Sequence, residues 1–443
     1  METNREILNQ ATHGVRKMTQ SLTVKALIIA ALSIALLIPS FMIMGLISER
    51  QRQSLNTIDE INEKWSLAQT ICPPMLVIPY SKMEIGEDKI IFMSEHDLFV
   101  TPEITETSVT LYPEERHRSI YKSIVYKSDV HISGQFDAMQ GLVLENSVLH
   151  PEKAYLLLGL SDLRGITEEI DFRFADSQLP VKASERRLNE MKCMKILLGD
   201  KLNLASSDAC TFDCHLKLKG SSSINFVPVA KTSKVSVSGD WSAPGFIGSF
   251  LPEYSLDEQA GHFDADWSVL NFNRNIPETW SDSNYSLTDA SFGVNLVDTV
   301  DHYQQNMRSA KYALMFIALT FVVFFFVEAF TKRRIHPVQY LLVGVALILF
   351  YSLLLSLSEQ IGFAWAYLIA AIATVGLITA YAANIFQNKK VSAMLAGILA
   401  TLYIFLYVVL QLEDVALLIG SIGMFLILAV IMFVSRKIQW YRE

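Results

Sequence analysis

A single carboxylate lies inside one of the most apolar stretches of the sequence. Glu328 falls near the end of the segment 312–330, which carries no other charge. An ionisable group in a membrane-spanning segment is a candidate functional residue that requires a partner. Lys332, four residues further on, would share a helical face with it. We expect an ion pair at the cytoplasmic interface, with Lys332 or Arg333; the alternative is an inward-facing carboxylate that could handle a proton.

Three further polar residues lie where apolar segments begin or end. Arg334 belongs to the basic connection after residue 330, and Glu359 belongs to the short connection after residue 358. His336 precedes Pro337 at the start of the next apolar segment, where we expect the pair to cap a helix. These residues are candidate functional or structural positions of the membrane region.

The sequence contains no established catalytic or nucleotide-binding motif. A P-loop, G-x-G-x-x-G, H-E-x-x-H and G-x-S-x-G are missing, and the nine histidines are scattered. Residues 94–97 (Ser-Glu-His-Asp) are the residue types of a hydrolase triad, but geometry rather than adjacency defines a triad. Asp264 and Asp266 could bind an ion, although a solvated strand face explains them better. We therefore expect no catalytic residue, no cofactor and no metal.

The elements that must position these residues are apolar segments long enough to cross a membrane. Of 443 residues, 51% are hydrophobic and 19% are charged, and the apolar residues are concentrated after residue 310. Crossing the hydrocarbon takes about 20 helical residues, and backbone groups in lipid must bond within their own segment. One segment near the N-terminus and five near the C-terminus qualify: 26–47, 312–330, 338–358, 361–386, 391–412 and 415–435. The first lacks a signal-peptide cleavage site and predicts a retained anchor.

The charges of the short connections predict the orientation of these segments. Lys and Arg occur at 332–334, at 389–390 and in the tail after residue 435, whereas 358–360 and 413–414 carry no basic residue. Basic connections stay in the cytoplasm. Both termini are therefore expected inside, with residues 1–25 as a cytoplasmic segment and residues 48–310 as an outer domain.

The four cysteines all fall in this outer domain. They are Cys72, Cys193, Cys210 and Cys214. An even number of cysteines in an oxidising compartment permits up to two disulfides with three possible pairings. Cys193 with Cys210 or Cys214 would close the more modest loop. A metal site at Cys210, Cys214 and His215 lacks a second ligand pair, so we expect a disulfide or buried thiols there.

The outer domain has the patterns of β-structure. Apolar and polar residues alternate at 215–220 and at 235–238, and both runs lead into a glycine. Residues 183–198 are the main stretch with helical spacing. The other strand candidates are 89–93, 124–136, 154–160 and 171–174. Short strands with Gly, Asn and Asp between them predict a mainly antiparallel sandwich, either as two lobes or as one extended sandwich.

Several blocks of the sequence resemble the CreD family of inner-membrane cell envelope integrity proteins. The longest is 334–344 (Arg-Ile-His-Pro-Val-Gln-Tyr-Leu-Leu-Val-Gly), which follows the segment 312–330 that contains Glu328. Further blocks are 161–165 (Ser-Asp-Leu-Arg-Gly), 263–267 (Phe-Asp-Ala-Asp-Trp) and the run from Trp241 to 248–252 (Gly-Ser-Phe-Leu-Pro). The resemblance covers nearly the whole chain.

The resemblance implies a bacterial inner-membrane protein with residues 48–310 in the periplasm and a link to a Cre-type two-component regulator. We expect a non-enzymatic protein that supports envelope integrity or the envelope-stress response. Its partners would be the lipid bilayer and envelope proteins or lipids. A net charge of −8 excludes nucleic acid. The alternative is a transporter or lipid-handling protein that uses the C-terminal helices, although spans three to six carry no charge at mid-depth.

Overall fold

The computed structural model divides the chain into two compact units. Residues 1–54 and 300–443 form a helical unit, and residues 55–299 form a sheet unit. The structure describes residues 22–85, 91–139, 144, 146–202, 208–257, 259–281, 285–296, 302–331, 333–412 and 415–436.

Eight α-helices are present in the part of the chain that the structure describes. They are α1 (Leu22–Ala35), α2 (Leu37–Trp65), α3 (His302–Lys311), α4 (Ala313–Thr331), α5 (Pro337–Ile361), α6 (Phe363–Phe386), α7 (Lys389–Gln411) and α8 (Ala416–Ser435). Counting α1 with α2 as one, six helices are long and apolar enough to cross a membrane. This confirms the predicted one N-terminal and five C-terminal spanning helices. Helices α1 and α2 are separated at Leu36, where Pro39 cannot donate to the carbonyl four residues before it.

Helix α3 is an element that hydropathy did not predict. All but its last residue falls in the range 48–310, yet it belongs to the helical unit, where it contacts α5, α6 and α7. Because α3 contains few apolar residues, its sequence does not indicate that it packs against the other helices. The burial of its side chains does. Tyr303, Asn306 and Ala310 are buried among the described residues of this unit.

Within the described residues, the sheet unit contains two mixed sheets. Sheet A has ten strands: β1 (Gln69–Ile85), β2 (Ile91–Val100), β5 (Ser147–Leu149), β6 (Tyr155–Leu160), β9 (Val181–Leu188), β10 (Met191–Leu197), β12 (Ser223–Phe226), β14 (Gly245–Gly248), β17 (Thr279–Ser281) and β18 (Phe292–Asn295). Sheet B has eight: β3 (Ile104–Arg118), β4 (Tyr121–Phe136), β7 (Asp171–Phe174), β8 (Ser177–Gln178), β11 (Cys210–Ser221), β13 (Thr232–Asp240), β15 (Glu253–Asp257) and β16 (His262–Leu270).

The two sheets share one apolar core and form a single extended sandwich. The order of sheet A is β14-β18-β12-β1-β6-β10-β9, with β5 and β2 also on β1 and β17 on β2. The order of sheet B is β15-β16-β13-β3-β4-β11-β7-β8. Pairing is antiparallel except between β1 and β12 and between β3 and β13. The predicted mainly antiparallel sandwich is thus confirmed. Four of the strand candidates lie within β4, β7, β11 and β13, and a fifth, 154–160, begins one residue before β6. Residues 89 and 90 of the sixth lie outside the described residues.

The two sheets differ in how many of their faces are buried. In sheet B, buried and exposed residues alternate along β16, where Phe263 and Ala265 are buried and Asp264 and Asp266 are exposed. Sheet A has a second apolar cluster on its other face, which includes Val77, Leu157 and Trp280. Strands buried on both faces lose the alternation that marks a strand in the sequence.

Residues 183–198 form a hairpin, not the predicted helix. Strands β9 and β10 pair through a turn at Asn189, which has a positive φ of 55°. Met194 packs into the shared core, and the adjacent Cys193 packs into the second cluster of sheet A. Because apolar residues of β10 are buried on both faces of the sheet, their spacing in the sequence resembles that of a helix.

The predicted disulfide is wrong, since all four cysteines are free. Cys193 lies on β10 of sheet A, whereas Cys210 and Cys214 lie on β11 of sheet B. Cys72 and Cys193 both stand opposite Gly159, one on each side of β6. The Cα atoms of Cys72 and Cys193 are therefore two strand spacings apart, about 9.6 Å, which is farther than the Cα atoms of a disulfide can be. Burial raises the pKa of the Cys193 thiol to about 11.

Candidate functional site

The Glu328 carboxylate lies at the centre of a buried polar cluster in the helical unit. Its side chain is 8% exposed, near the end of α4. It forms an ion pair with Lys25 of α1 through Oε1. The same oxygen accepts the backbone N–H of Ile335 at 3.1 Å, and Oε2 accepts the Tyr340 hydroxyl at 3.0 Å. We call Lys25, Glu328, Ile335 and Tyr340 the Glu328 cluster.

The turn between α4 and α5 is built by the residues of the 334–344 block. The N–H of Val338 donates to Nδ1 of His336 at 3.3 Å, and the N–H of His336 donates to Oε1 of Gln339 at 2.9 Å. Pro337 occupies the first helical position, where its missing N–H costs nothing. His336 therefore caps α5 as expected, and the cap holds Ile335 where its amide meets Glu328.

Gly344, the last residue of this block, allows three helices to approach one another. A Cβ atom at Gly344 would lie 2.2 Å from Cδ1 of Leu36 and 2.9 Å from Cζ of Phe321. Leu36 joins α1 to α2, and Phe321 is in the middle of α4. The block thus combines a helix cap, two donors for one carboxylate and one close contact.

The other membrane candidates have separate surroundings. Glu359, at the far end of α5, accepts the Tyr303 hydroxyl at 3.1 Å, and the adjacent Ser358 hydroxyl accepts from Nδ2 of Asn306 at 2.7 Å. Arg334 is exposed, and Lys332 lies outside the described residues. Within the described residues, the cation that meets Glu328 is therefore Lys25, 303 positions earlier in the chain.

Aromatic rings fill the space between α5, α6 and α7. The Phe350 ring centroid is 4.8 Å from that of Tyr403 and 5.5 Å from that of Tyr367. The Tyr367 hydroxyl donates to the backbone carbonyl of Tyr403 at 2.7 Å. All three residues are buried, so this part of the bundle is packed.

The 161–165 block forms a second polar cluster, which holds the beginning of the sandwich. Asp162, 2% exposed, accepts hydrogen bonds from the Ser66 hydroxyl, the N–H of Leu67 and the guanidinium of Arg164. Burial alone would raise the pKa of Asp162, but the hydrogen bonds, first that from Arg164, outweigh it and lower the pKa to about 2. We call these four residues the Asp162 cluster.

Gly165 of the same block is required by a close contact. A Cβ atom there would lie 2.4 Å from Nε2 of Gln69 and 2.4 Å from the carbonyl oxygen of Lys219. Nε2 of Gln69 donates to the carbonyls of Asp162 and Lys219 at 2.9 and 3.0 Å. The block therefore has a structural role in the sheet unit.

Residues 94–97 do not assemble a triad. Oγ of Ser94 lies 2.7 Å from Nε2 of His96. Asp97 is the next residue along β2, so it faces the opposite side of the sheet, where it pairs with Arg186. Without Asp97 at the imidazole, a serine and a histidine in contact are a weak candidate for nucleophilic chemistry.

Sequence reasoning missed one cluster of potential metal ligands. His131, Asp213 and His215 lie together on the outer face of sheet B. His131 and His215 are far apart in the chain, and only the register of β4 against β11 brings them opposite each other. Cross-strand register depends on tertiary structure, so spacing alone could not reveal the pair.

The fold and the two polar clusters define a class: multi-span membrane proteins with a large β-sandwich inserted in the chain after the first spanning helix. The family model described as Inner membrane protein CreD matches residues 21–441, and the chain belongs to the CreD family. It is 31% identical over 424 residues to Inner membrane protein CreD of Escherichia coli (strain K12), which covers 92% of this chain and 91% of that protein. The resemblance in the sequence blocks is thereby confirmed.

Proposed function

We propose that this protein is a non-enzymatic component of the bacterial inner membrane that maintains envelope integrity or supports the envelope-stress response. Its sandwich would lie in the periplasm and contact envelope proteins or lipids. The observation that carries the proposal is the match over 92% of the chain to the inner membrane protein of Escherichia coli, which spans both units. Blocks that resemble the family supply Ile335 and Tyr340 of the Glu328 cluster and Asp162 and Arg164 of the Asp162 cluster, which supports a shared architecture.

The proposed orientation rests on the charges at the two ends of α5. Arg333 and Arg334 precede this helix, and both are exposed, whereas Glu359 closes it. Arginines in short connections favour the cytoplasmic side. This arrangement supports cytoplasmic termini and a periplasmic sandwich.

A candidate contact surface lies in the run from Trp241 to 252. Phe246 packs against Tyr254, with ring centroids 4.8 Å apart, and Nε1 of Trp267 donates to the carbonyl of Phe250 at 3.1 Å. These contacts hold the segment while leaving Leu251 81% exposed. Single exposed apolar residues are common on protein surfaces, so it is the place of Leu251 in a block that resembles the family that makes it a candidate contact residue.

The experiment compares two exposed apolar residues of the sandwich in a strain that lacks the chromosomal gene. Leu251→Asp should reduce survival under detergent and chelator stress to that of the deletion strain, while the protein accumulates normally. Phe272→Asp, at a residue that is 91% exposed outside this run, should protect as well as wild type. Equal protection by both variants, or no protection by wild type, would contradict the proposal.

Two further variants separate a non-enzymatic role from a catalytic one. Ser81→Ala and Ser94→Ala each remove a serine whose Oγ lies 2.7 Å from Nε2 of a histidine, His150 and His96 respectively. The His150 imidazole also contacts Glu152 at 3.3 Å, which makes Ser81 the better placed of the two serines. We expect both variants to protect the deletion strain fully. Loss of protection in either, at normal accumulation, would instead indicate hydrolytic chemistry.

The transporter alternative has less support from the helical unit. The Glu328 carboxylate is already occupied by three donors, and aromatic rings pack the region between α5, α6 and α7. A transport site usually has polar groups available near mid-depth. A Glu328→Gln variant that accumulates normally yet loses all protection would favour transport over the proposed role.

A further inference from the structure

Two histidines and one aspartate share the outer face of sheet B. His131 on β4 and His215 on β11 are directly opposed in the antiparallel register, and their rings stack with centroids 4.0 Å apart. Asp213, two residues before His215, projects from the same face. Their strand neighbours Ile132 and Cys214 are buried, so the strands that carry the three side chains are anchored in the core.

The Asp213 carboxylate faces both imidazoles. Its Oδ2 lies 2.6 Å from Nε2 of His131, and its Oδ1 lies 3.4 Å from Nε2 of His215. The three potential ligand atoms are within 4.8 Å of one another. Ligand atoms around tetrahedral zinc are about 3.3 Å apart, given bonds of about 2.0 Å. Small side-chain rotations at these partly exposed residues would close that difference.

The surroundings favour a cation. The cluster borders a groove of about 480 Å³ that also exposes Asp129, Glu168, Glu169 and Asp171. Asp171 stands opposite His215 in the register of β7 against β11. Two cations lie nearby, and both are paired: Lys217 with Glu168 at 3.0 Å, and Arg173, which stands opposite Asp213, with Asp171 at 3.4 Å. Carboxylates therefore outnumber cations around the imidazoles, which lowers the free energy of a bound cation.

We propose that His131, Asp213 and His215 bind one divalent transition-metal ion of the class that prefers imidazole, with zinc as its representative. Two imidazole nitrogens select such a metal over calcium or magnesium, which prefer oxygen ligands. Two histidines and one carboxylate leave a fourth position for water or for an oxygen ligand from a partner. This inference is independent of the proposed role in envelope integrity.

A matched control lies on the same sheet. His262 contacts Asp240 at 2.6 Å and Asp264 at 3.7 Å, so it has two carboxylates but only one imidazole. If a histidine beside carboxylates were sufficient, His262 and His131 would contribute equally to metal binding. If the paired imidazoles are required, only His131 and His215 matter.

The test titrates zinc into the metal-free full chain in detergent and measures binding by isothermal titration calorimetry. The visible absorption spectrum after cobalt is added is the second readout. Wild type should bind one ion with micromolar or tighter affinity and show the visible bands of tetrahedral cobalt. His131→Gln and His215→Gln should each weaken binding at least tenfold, and His262→Gln should leave it unchanged. Each variant must elute as wild type does in size-exclusion chromatography.

Three results would overturn the proposal. The first is absence of binding by wild type at 100-fold excess zinc over protein. The second is an equal loss of affinity in His262→Gln and His131→Gln. The third is calcium binding as tight as zinc binding that persists in His131→Gln, because the groove carboxylates alone would then explain the site.

Discussion

At the scale of single residues, each polar cluster joins parts of the chain that are distant in sequence. Glu328 accepts from Lys25, from Ile335 and from Tyr340, and so connects α1, α4 and α5. Asp162 accepts from Leu67, just after α2, and from Arg164 in its own turn. In both clusters a buried carboxylate has enough donors to offset its desolvation.

Exchanging the charges of Lys25 and Glu328 tests the ion pair. Glu328→Lys and Lys25→Glu should each destabilise the full chain by about 3–5 kcal/mol, because each leaves like charges together in a buried site. The double variant should recover part of the loss. The measurement is the temperature at which the monodisperse chromatographic peak disappears in detergent.

Glu359 provides the control for this exchange. Its described partner is the Tyr303 hydroxyl rather than a cation. Lys25→Glu should therefore give no recovery when combined with Glu359→Lys. Two results would argue against a specific ion pair: recovered stability in the Lys25→Glu and Glu359→Lys double variant, or no recovered stability in the Lys25→Glu and Glu328→Lys double variant.

Asp162→Asn should destabilise the sandwich in a pH-dependent way. The folded-state pKa of about 2 lies below the value of about 3.9 for an unfolded aspartate. The resulting stabilisation is complete above pH 4 and is lost as the pH falls towards 2. We expect a loss of about 1–3 kcal/mol at neutral pH.

Near-ultraviolet circular dichroism during heating measures this difference at several pH values. The gap in melting temperature between wild type and Asp162→Asn should narrow between pH 4 and pH 2.5. A gap that stays constant over that range would mean that the Asp162 charge does not contribute. Asp264→Asn, at an exposed position of β16, should show little effect at any of these pH values.

At the scale of elements, α5 depends on a close contact at Gly344. Gly344→Leu should lower the stability of the helical unit by about 1–3 kcal/mol, since the added side chain meets Leu36 and Phe321. Gly376→Leu on α6 is the matched control, because a Cβ atom there has no heavy atom within 4 Å. Thermal loss of the monodisperse peak again provides the measurement, and similar losses for both variants would contradict the packing argument.

The same scale shows which features local sequence could predict. The six spanning helices follow from apolar length, which needs no knowledge of neighbours. The β9–β10 hairpin resembles a helix in sequence because β10 has buried residues on both of its faces. The paired histidines were missed because they meet only through the register of β4 and β11. The sequence identified Glu328 as important, but its partner Lys25 depends on the packing of α1.

At the scale of the whole molecule, orientation in the membrane remains a prediction with a direct test. Single cysteines at Phe272 and at Asn388 probe the sheet unit and the connection between α6 and α7, in a background with Cys210→Ser. An impermeant thiol reagent should label Phe272→Cys in intact cells and label Asn388→Cys only after the inner membrane is opened. The opposite pattern would reverse the proposed topology.

The distance in sequence between Lys25 and Glu328 has a consequence for synthesis. The two residues are 303 positions apart, and the entire sheet unit lies between them. At about 5–20 residues per second, a ribosome reaches Glu328 roughly 15–60 s after Lys25. For most of translation, the first helix of the nascent chain therefore exists without the carboxylate that pairs with its lysine. The sandwich can finish folding during that interval, before the carboxylate that anchors the first helix has been made.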